Sequence, residues 1–335
     1  MVATINAAPL WLIILIKSVI LFAIVITTFA YVMLAERKVI GWMQLRPGPN
    51  RVGPWGLLQP AADAVKMMFK EDLTPNTADP LIYKLAPFIS LLCAFATFSV
   101  IPFAEPRPGD LWSIGNVNAG ILIIFAITSI GVYGIALGGW ASGSKFPLLG
   151  SVRSTAQLVS YELALTMSVV GVLILAGTTS LSGIVHAQFR LWFIVPQLVG
   201  FVIYLITAIA ETNRAPFDLV EADAELVAGF HTEYSGLRFG LFFIAEYLNM
   251  LTVSCIATLL FLGGWEPMFG LAIIPGLVWF ILKTAFFLFF YIWLRATLPR
   301  FRYDRLMALG WKVLLPVATL NLVVTAIVVA FTAKG

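Results

Sequence analysis

Between Glu211 and Glu233 the chain concentrates six carboxylates, Glu211, Asp218, Glu221, Asp223, Glu225 and Glu233, out of only 17 acids in 335 residues. Local basic compensation is Arg214 and the titratable His231, and the next apolar run carries one more acid, Glu246. Another, Glu162, interrupts the apolar run from 156 to 176. A carboxylate at membrane depth costs a few kcal/mol or more, so such groups face a protein interior or a wet path. Like charges about 4 Å apart repel by on the order of 4 kcal/mol at an effective dielectric of 20. Neighbouring acids therefore cannot all stay ionised and titrate as a coupled set. Such a set can move protons or cations. The bland alternative is that each acid pairs with an arginine of this chain or of a partner.

The elements that must position these acids are membrane helices. Apolar residues make up 60% of the chain, charged residues 11%, and mean hydropathy is +0.95. Runs of about 20 apolar residues, the length that crosses the hydrocarbon core, fall near 10–34, 82–103, 119–140, 156–176, 191–210, 239–262, 271–294 and 312–331. These runs are apolar all round, which excludes the alternating pattern of a β-barrel. The expected fold is an all-α polytopic membrane protein, one domain over 1–335 with about eight transmembrane helices.

Lys and Arg accumulate on the cytoplasmic side of membrane proteins. The first, third, fifth and seventh interspan loops with their span edges carry 16 of the 21 Lys and Arg, and the opposite side three. Both termini are thus expected on the periplasmic side of a bacterial inner membrane, or its mitochondrial equivalent. That bias accounts for the net charge of +4, so no nucleic-acid binding is read into it. The first eleven residues, MVATINAAPLW, show neither a basic residue nor a cleavage pattern, so the first span is expected to be retained. Cys93 and Cys255 fall within spans without metal or cluster spacing, and His186 and His231 fall in loops on opposite sides. No metal or redox centre is expected in this chain.

No internal repeat or soluble linker divides the chain. Two inner loops are too long and patterned to be connectors. The first, 35–81, has Pro47, Gly48, Pro49, Gly53, Pro54 and Gly56, which impose turns. There follows a stretch, about 55–70, in which Leu58, Ala61, Ala62, Val65, Met68 and Phe69 recur at helical spacing with Gln59, Asp63, Lys66 and Lys70 opposite. That is an interfacial amphipathic helix, a surface anchor or the floor of a cavity that opens to lipid. The second is the acidic loop 211–238. A basic loop, 295–311, holds Arg295, Arg300, Arg302 and Arg305 against Asp304; it anchors the inner side or docks an acidic partner or headgroup.

At about 1.5 Å per residue, Glu162 and Glu246 fall about 10 Å below the inner face and Glu211 closes the fifth span there. Lys17 lies close enough to an outer end to snorkel. Lys283 falls near the middle of its expected span, where it contacts a carboxylate or a wet cavity.

The strings AERKVIGWMQLRPGPNRVGPWGLLQPAADAVKMMFKED, ASGSKFPLLGSVRSTAQLVSYE, AETNRAPFDLVEADAELVAGFHTEY, FFIAEY and RATLPRFRYDRLM closely resemble the quinone-site membrane subunit of respiratory complex I, the NADH:quinone oxidoreductase of bacteria and mitochondria. The resemblance runs from about residue 10 to 331. It implies eight helices and no cofactor bound by this chain. Quinone would be the substrate, with FMN and iron–sulfur clusters in partner subunits. It also implies a heel position among iron–sulfur peripheral-arm subunits, small membrane subunits and antiporter-like subunits.

The quinone tail would enter from the lipid bilayer through a tunnel bounded by the first helix and the amphipathic helix. By matching position, the resemblance implies that Glu36, Arg37, Arg46, Phe217, Asp218, Glu221, Arg295 and Arg300 line or brace it. A proton-coupling axis of Glu162, Glu211, Glu221, Asp223, Glu225, Glu233 and Glu246 is implied as well, with Lys283 a further candidate from its depth. Asp223 stands where some relatives have Glu. A stand-alone antiporter would show inverted repeats and paired broken helices, which are not found; the related hydrogenase subunits lack a quinone role, and the complete RPGPN and ETNRAPFDL strings argue against them. A purely structural anchor would leave the buried acids unexplained.

Overall fold

A computed structural model describes residues 10–105, 117–218, 227–267 and 274–332. Glu221, Asp223 and Glu225 lie outside the described residues. The described residues form helices joined by turns and loops, with no strand among them. In order the helices are α1 (Leu10–Met43), α2 (Gln59–Phe69), α3 (Pro80–Phe98), α4 (Gly120–Ala141), α5 (Lys145–Ala176), α6 (Leu181–Ala187), α7 (Leu198–Glu211), α8 (Gly236–Phe261), α9 (Gly276–Thr297) and α10 (Tyr303–Thr332). Seven of these are long and apolar enough to cross a membrane. The eighth expected span, near 191–210, contains only the 14-residue α7. At about 21 Å it is shorter than the roughly 30 Å hydrocarbon core; turns at 192–197 make up the rest.

Helix ends follow local chemistry. Asp79 caps α3, its carboxylate accepting from the backbone N–H of Leu81 at 3.1 Å and Ile82 at 3.3 Å, and Pro80 fills the first turn. Gly177 ends α5 in the left-handed conformation with φ 65°. Within α10, residues Leu309–Leu314 widen into a π-turn just before Pro316, whose ring would otherwise clash with a carbonyl one turn back. Several helices outrun their apolar runs. α5 begins eleven residues before the expected 156 and α1 ends nine beyond the expected 34.

The most buried span is α8, which packs against α3, α9, α1 and α2. α3 and α4 approach closely because α4 offers glycine at the contact: a Cβ on Gly134 would stand 2.0 Å from Ser90 Oγ. Small residues at such crossings let backbones meet when hydrophobic burial alone gives no drive between helices. The proline- and glycine-rich loop after α1 folds back on that helix. There a Cβ on Gly48 would lie 2.9 Å from Lys38 Cα, and Gly56, at φ +74°, has Pro49 O where a side chain would go.

α2 lies against α1 and α8. The amphipathic stretch of the sequence is helical over Gln59–Phe69, with Pro60, Ala62 and Met67 beside Gln59 and Asp63 toward the protein and Val65, Met68 and Phe69 outward.

Candidate functional site

Glu36 is 3% exposed near the C-terminal end of α1, and burial at that level demands cationic partners. It has two. Arg214 Nη1 donates to its Oε1 at 3.0 Å and Oε2 at 3.3 Å, and Arg295 at the end of α9 forms a short ion pair with Oε1. Arg214 is itself buried and reaches in a second direction, its Nε pairing closely with Glu246 of α8. Its guanidinium also lies 4.1 Å from the ring centroid of Tyr247. One guanidinium thus links carboxylates from α1 and α8, the planar fork for which arginine is suited. Burial alone would lower the Arg214 pKa; the Glu246 and Glu36 carboxylates outweigh it and raise the group above its ordinary value.

Glu246 also lines a cavity of about 70 Å³ of water-accessible space, shared with Glu211, Asn213, His231, Asn249 and Thr128. That is room for several waters, and the lining supplies the polar partners they need. A smaller void of about 10 Å³ continues past Thr128, Glu211 and Asn249 toward Tyr204 and Thr252. Glu211 Oε2 is buried without a hydrogen-bond partner at the junction. Glu162 is held by a short bond from Ser129, next to Thr128. Among the described residues no cation pairs with Glu162 or Glu211. The carboxylates therefore divide into Glu36 and Glu246, neutralised by arginine, and Glu211 and Glu162, which are not.

The segment leaving α7 is fixed by Gln157 of α5, fully buried, whose Nε2 donates to Ala210 O at 2.8 Å and Phe217 O at 3.1 Å. Phe217 is buried between Tyr161 and Phe301, at centroid distances of 6.0 and 5.5 Å. Phe301 N donates to Pro216 O at 3.0 Å, and Arg300 Nη2 to Asp218 Oδ2 at 3.3 Å. These contacts join the acidic and basic loops. Arg37 pairs with Asp63 of α2 at 2.7 Å. Arg46 is exposed and donates to Gln44 at 2.7 Å. Glu233 lies apart from the cavity, its backbone oxygen accepting from Tyr83 Oη at 2.7 Å. Arg214, counted in the sequence only as local basic compensation, and Gln157, Tyr247 and Asn249 are the participants that sequence reasoning passed over. Gln157 and Asn249 carried a signal, as uncharged polar residues at the start of the apolar run 156–176 and within the run 239–262.

Lys283 stands elsewhere. α9 begins at Gly276 rather than 271, so Lys283 is seven residues from its N-terminal end. There its Nζ donates to Leu262 O at 2.7 Å, Gly264 O at 3.0 Å and Glu266 O at 2.7 Å, and lies 4.8 Å from the Trp192 ring centroid. It caps the end of α8 and contacts none of the cavity carboxylates. Lys283→Met strands three carbonyls, each a desolvation cost of roughly 1–3 kcal/mol. The expected result is a lower melting temperature of the purified protein in detergent; an unchanged melting temperature would remove the capping role.

His231, in the loop before α8, is packed between Phe230 and Phe239, at centroid distances of 4.9 and 5.3 Å. Burial lowers its pKa from 6.5 to about 4, partly offset by Asp218. The unfolded chain therefore binds a proton here below about pH 6.5 that the folded chain refuses until about pH 4. Stability should fall as pH drops across that window, and His231→Gln should flatten that part of the profile. Melting curves between pH 4.5 and 7.5 test it; an equal slope in both proteins would exclude His231 as the source.

Among the described residues no group of His, Cys, Asp and Glu could hold a metal ion. The NADH dehydrogenase family model matches residues 16–326. The chain is 52% identical over 323 residues to an NADH-quinone oxidoreductase H subunit of Symbiobacterium thermophilum, covering 96% of this chain and 98% of the relative. It is 52% identical over 320 residues to an H subunit of the same enzyme from Geobacter sulfurreducens, covering 94% and 96%. The corresponding protein of Deinococcus deserti is also 52% identical, over 338 residues covering 96% and 86%. With the family model matching residues 16–326 and relatives at 52% identity over nearly the whole chain, the chain belongs to the NADH dehydrogenase family.

Proposed function

We propose that this chain is the membrane subunit of a proton-pumping NADH:quinone oxidoreductase that forms much of the quinone entry tunnel and couples quinone reduction to proton movement. The single observation that carries the reading is Arg214, which connects Glu36 on the side of the basic loop to Glu246 in the cavity of Glu211. FMN and iron–sulfur clusters in partner subunits would deliver electrons. This chain's own residues bind, orient and move protons.

In this reading Glu36, Arg37, Arg46, Phe217, Asp218, Glu221, Arg295 and Arg300 line or brace the quinone cavity. Phe217 offers an apolar face between the two loops, and Asp218 with Arg300 is a charge pair a headgroup can perturb. Reducing a quinone to a quinol consumes protons. A proton drawn from this region, or a charge appearing there, changes how strongly Glu36 holds Arg214. Arg214 then shifts its weight between Glu36 and Glu246, and the field at Glu211 and Glu162 changes with it. Glu221, Asp223, Glu225 and Glu233 extend the axis on the inner side, and Lys283 would act only from its distance. Antiporter-like and small membrane subunits in a bacterial inner membrane, with both termini periplasmic, would receive the change.

The test is affinity purification of the tagged chain from native membranes in mild detergent, followed by an NADH-to-quinone reductase assay. Co-purified iron–sulfur subunits with inhibitor-sensitive activity are expected. A chain recovered alone and silent toward NADH and quinone would overturn the reading.

A further inference from the structure

α1 and α9 enclose a lipid-facing groove of about 440 Å³ that the quinone reading leaves unused. Its walls are Val32, Ala35 and Val39 on α1 and Ala285, Leu288 and Ile292 on α9, with the half-exposed Tyr31 and Phe289 at its lips. The two threonines on its wall present no free donor, because Thr27 Oγ1 bonds Ala23 O at 2.7 Å and Thr28 Oγ1 bonds Ile24 O at 2.8 Å. The groove is therefore apolar in effect, and it prefers a hydrocarbon occupant.

Its length and its ends decide which one. From Thr27 to Val39 is twelve residues of helix, roughly 18 Å, about one leaflet of the roughly 30 Å hydrocarbon core. One turn inward of Ile292 stands Arg295, whose side chain remains 33% exposed despite its pair with Glu36. On α1 Lys38 follows the groove face, half-buried, with its Nζ donating to Trp55 O, while Arg37 turns away to Asp63 of α2, so Arg295 is the rim's exposed cation. The acids there, Glu36 and Asp63, are already engaged by arginine. An apolar slot one leaflet deep with a cationic inner rim matches one acyl chain below a phosphate.

We propose that this groove seats an anionic phospholipid of the inner leaflet, its chain between α1 and α9 and its phosphate on the Arg295 rim. The lipid fills the wedge between two helices that share the Glu36 ion pair, and so holds Arg295 against Glu36 from the membrane side.

A photoreactive benzophenone side chain at Phe289, introduced in the intact complex in its native membrane, tests this by mass spectrometry of the crosslinked adducts. The reference position is Phe286, which is 61% exposed on the same helix but outside the groove. Anionic phospholipid should be enriched at Phe289 over Phe286 by about five-fold for each basic residue that contacts the headgroup. Ala285→Trp, which fills the groove, should return the Phe289 adducts to the composition seen at Phe286. Equal compositions at the two positions, a quinone adduct, a crosslinked polypeptide, no adduct, or enrichment that survives Ala285→Trp would each overturn the proposal.

Discussion

Arg214→Gln is expected to cost the protein both its assembly and its coupled activity, the largest effect of any single substitution in the site. The guanidinium is buried and neutralises two carboxylates, Glu36 at 3.0 Å and Glu246 in a closer pair. Removing one partner of a buried pair typically costs about 3–5 kcal/mol, because the remaining charge stays uncompensated. Glu36 keeps Arg295, so the loss falls chiefly on Glu246, whose pair with Arg214 goes. A specific rescue follows. Arg214→Gln with Glu246→Gln removes the stranded charge and should recover much of the assembly, read by native gel and melting temperature, while proton pumping stays absent. Arg214→Lys keeps the charge but cannot fork between two helices, so it should assemble partially. If the double variant is no more stable than Arg214→Gln, the pairing with Glu246 is not what makes Arg214 necessary.

The membrane helices were legible because each is a long apolar run, and the solvent that surrounds them leaves the backbone few alternatives. Their ends were less so: α5 and α1 continue into residues that no apolar window contains, and α7 stops short of a full crossing because turns at 192–197 take over. Of the acids expected together, Glu211 and Glu246 share one cavity and Glu162 is held by Ser129 beside it, while Glu233 lies apart. Their partition was not legible, since what separates Glu36 and Glu246 from Glu211 and Glu162 is an arginine that meets Glu36 across 178 positions of sequence. Local charge counting around Glu211 to Glu233 found a shortage of bases and credited none of them to Glu246 or to α1. Lys283 shows the opposite error, in which composition placed a charge at mid-span. The cap it forms depends on carbonyls freed at the end of α8, a feature of backbone geometry that no residue pattern announces.

Glu211→Gln should leave assembly and quinone reduction largely intact while lowering the number of protons moved per electron. The distinction from Arg214 follows from partners. Among the described residues Glu211 has no cation to strand, and its Oε2 has no hydrogen-bond partner, so a neutral isostere removes charge without leaving a new one buried. What it removes is a titratable oxygen at the junction between the larger cavity and the void toward Tyr204 and Thr252. A proton passing between those spaces by way of water has Glu211, Asn249 and Thr128 as the shared lining, and of the three only Glu211 takes up and releases a proton. Proteoliposomes that report proton uptake alongside NADH oxidation separate the two quantities. A fall in the ratio at near-normal turnover supports a relay through Glu211; wild-type values of both would assign the axis to other carboxylates, and equal loss of both would mean that Glu211 supports the fold of the α7 end instead.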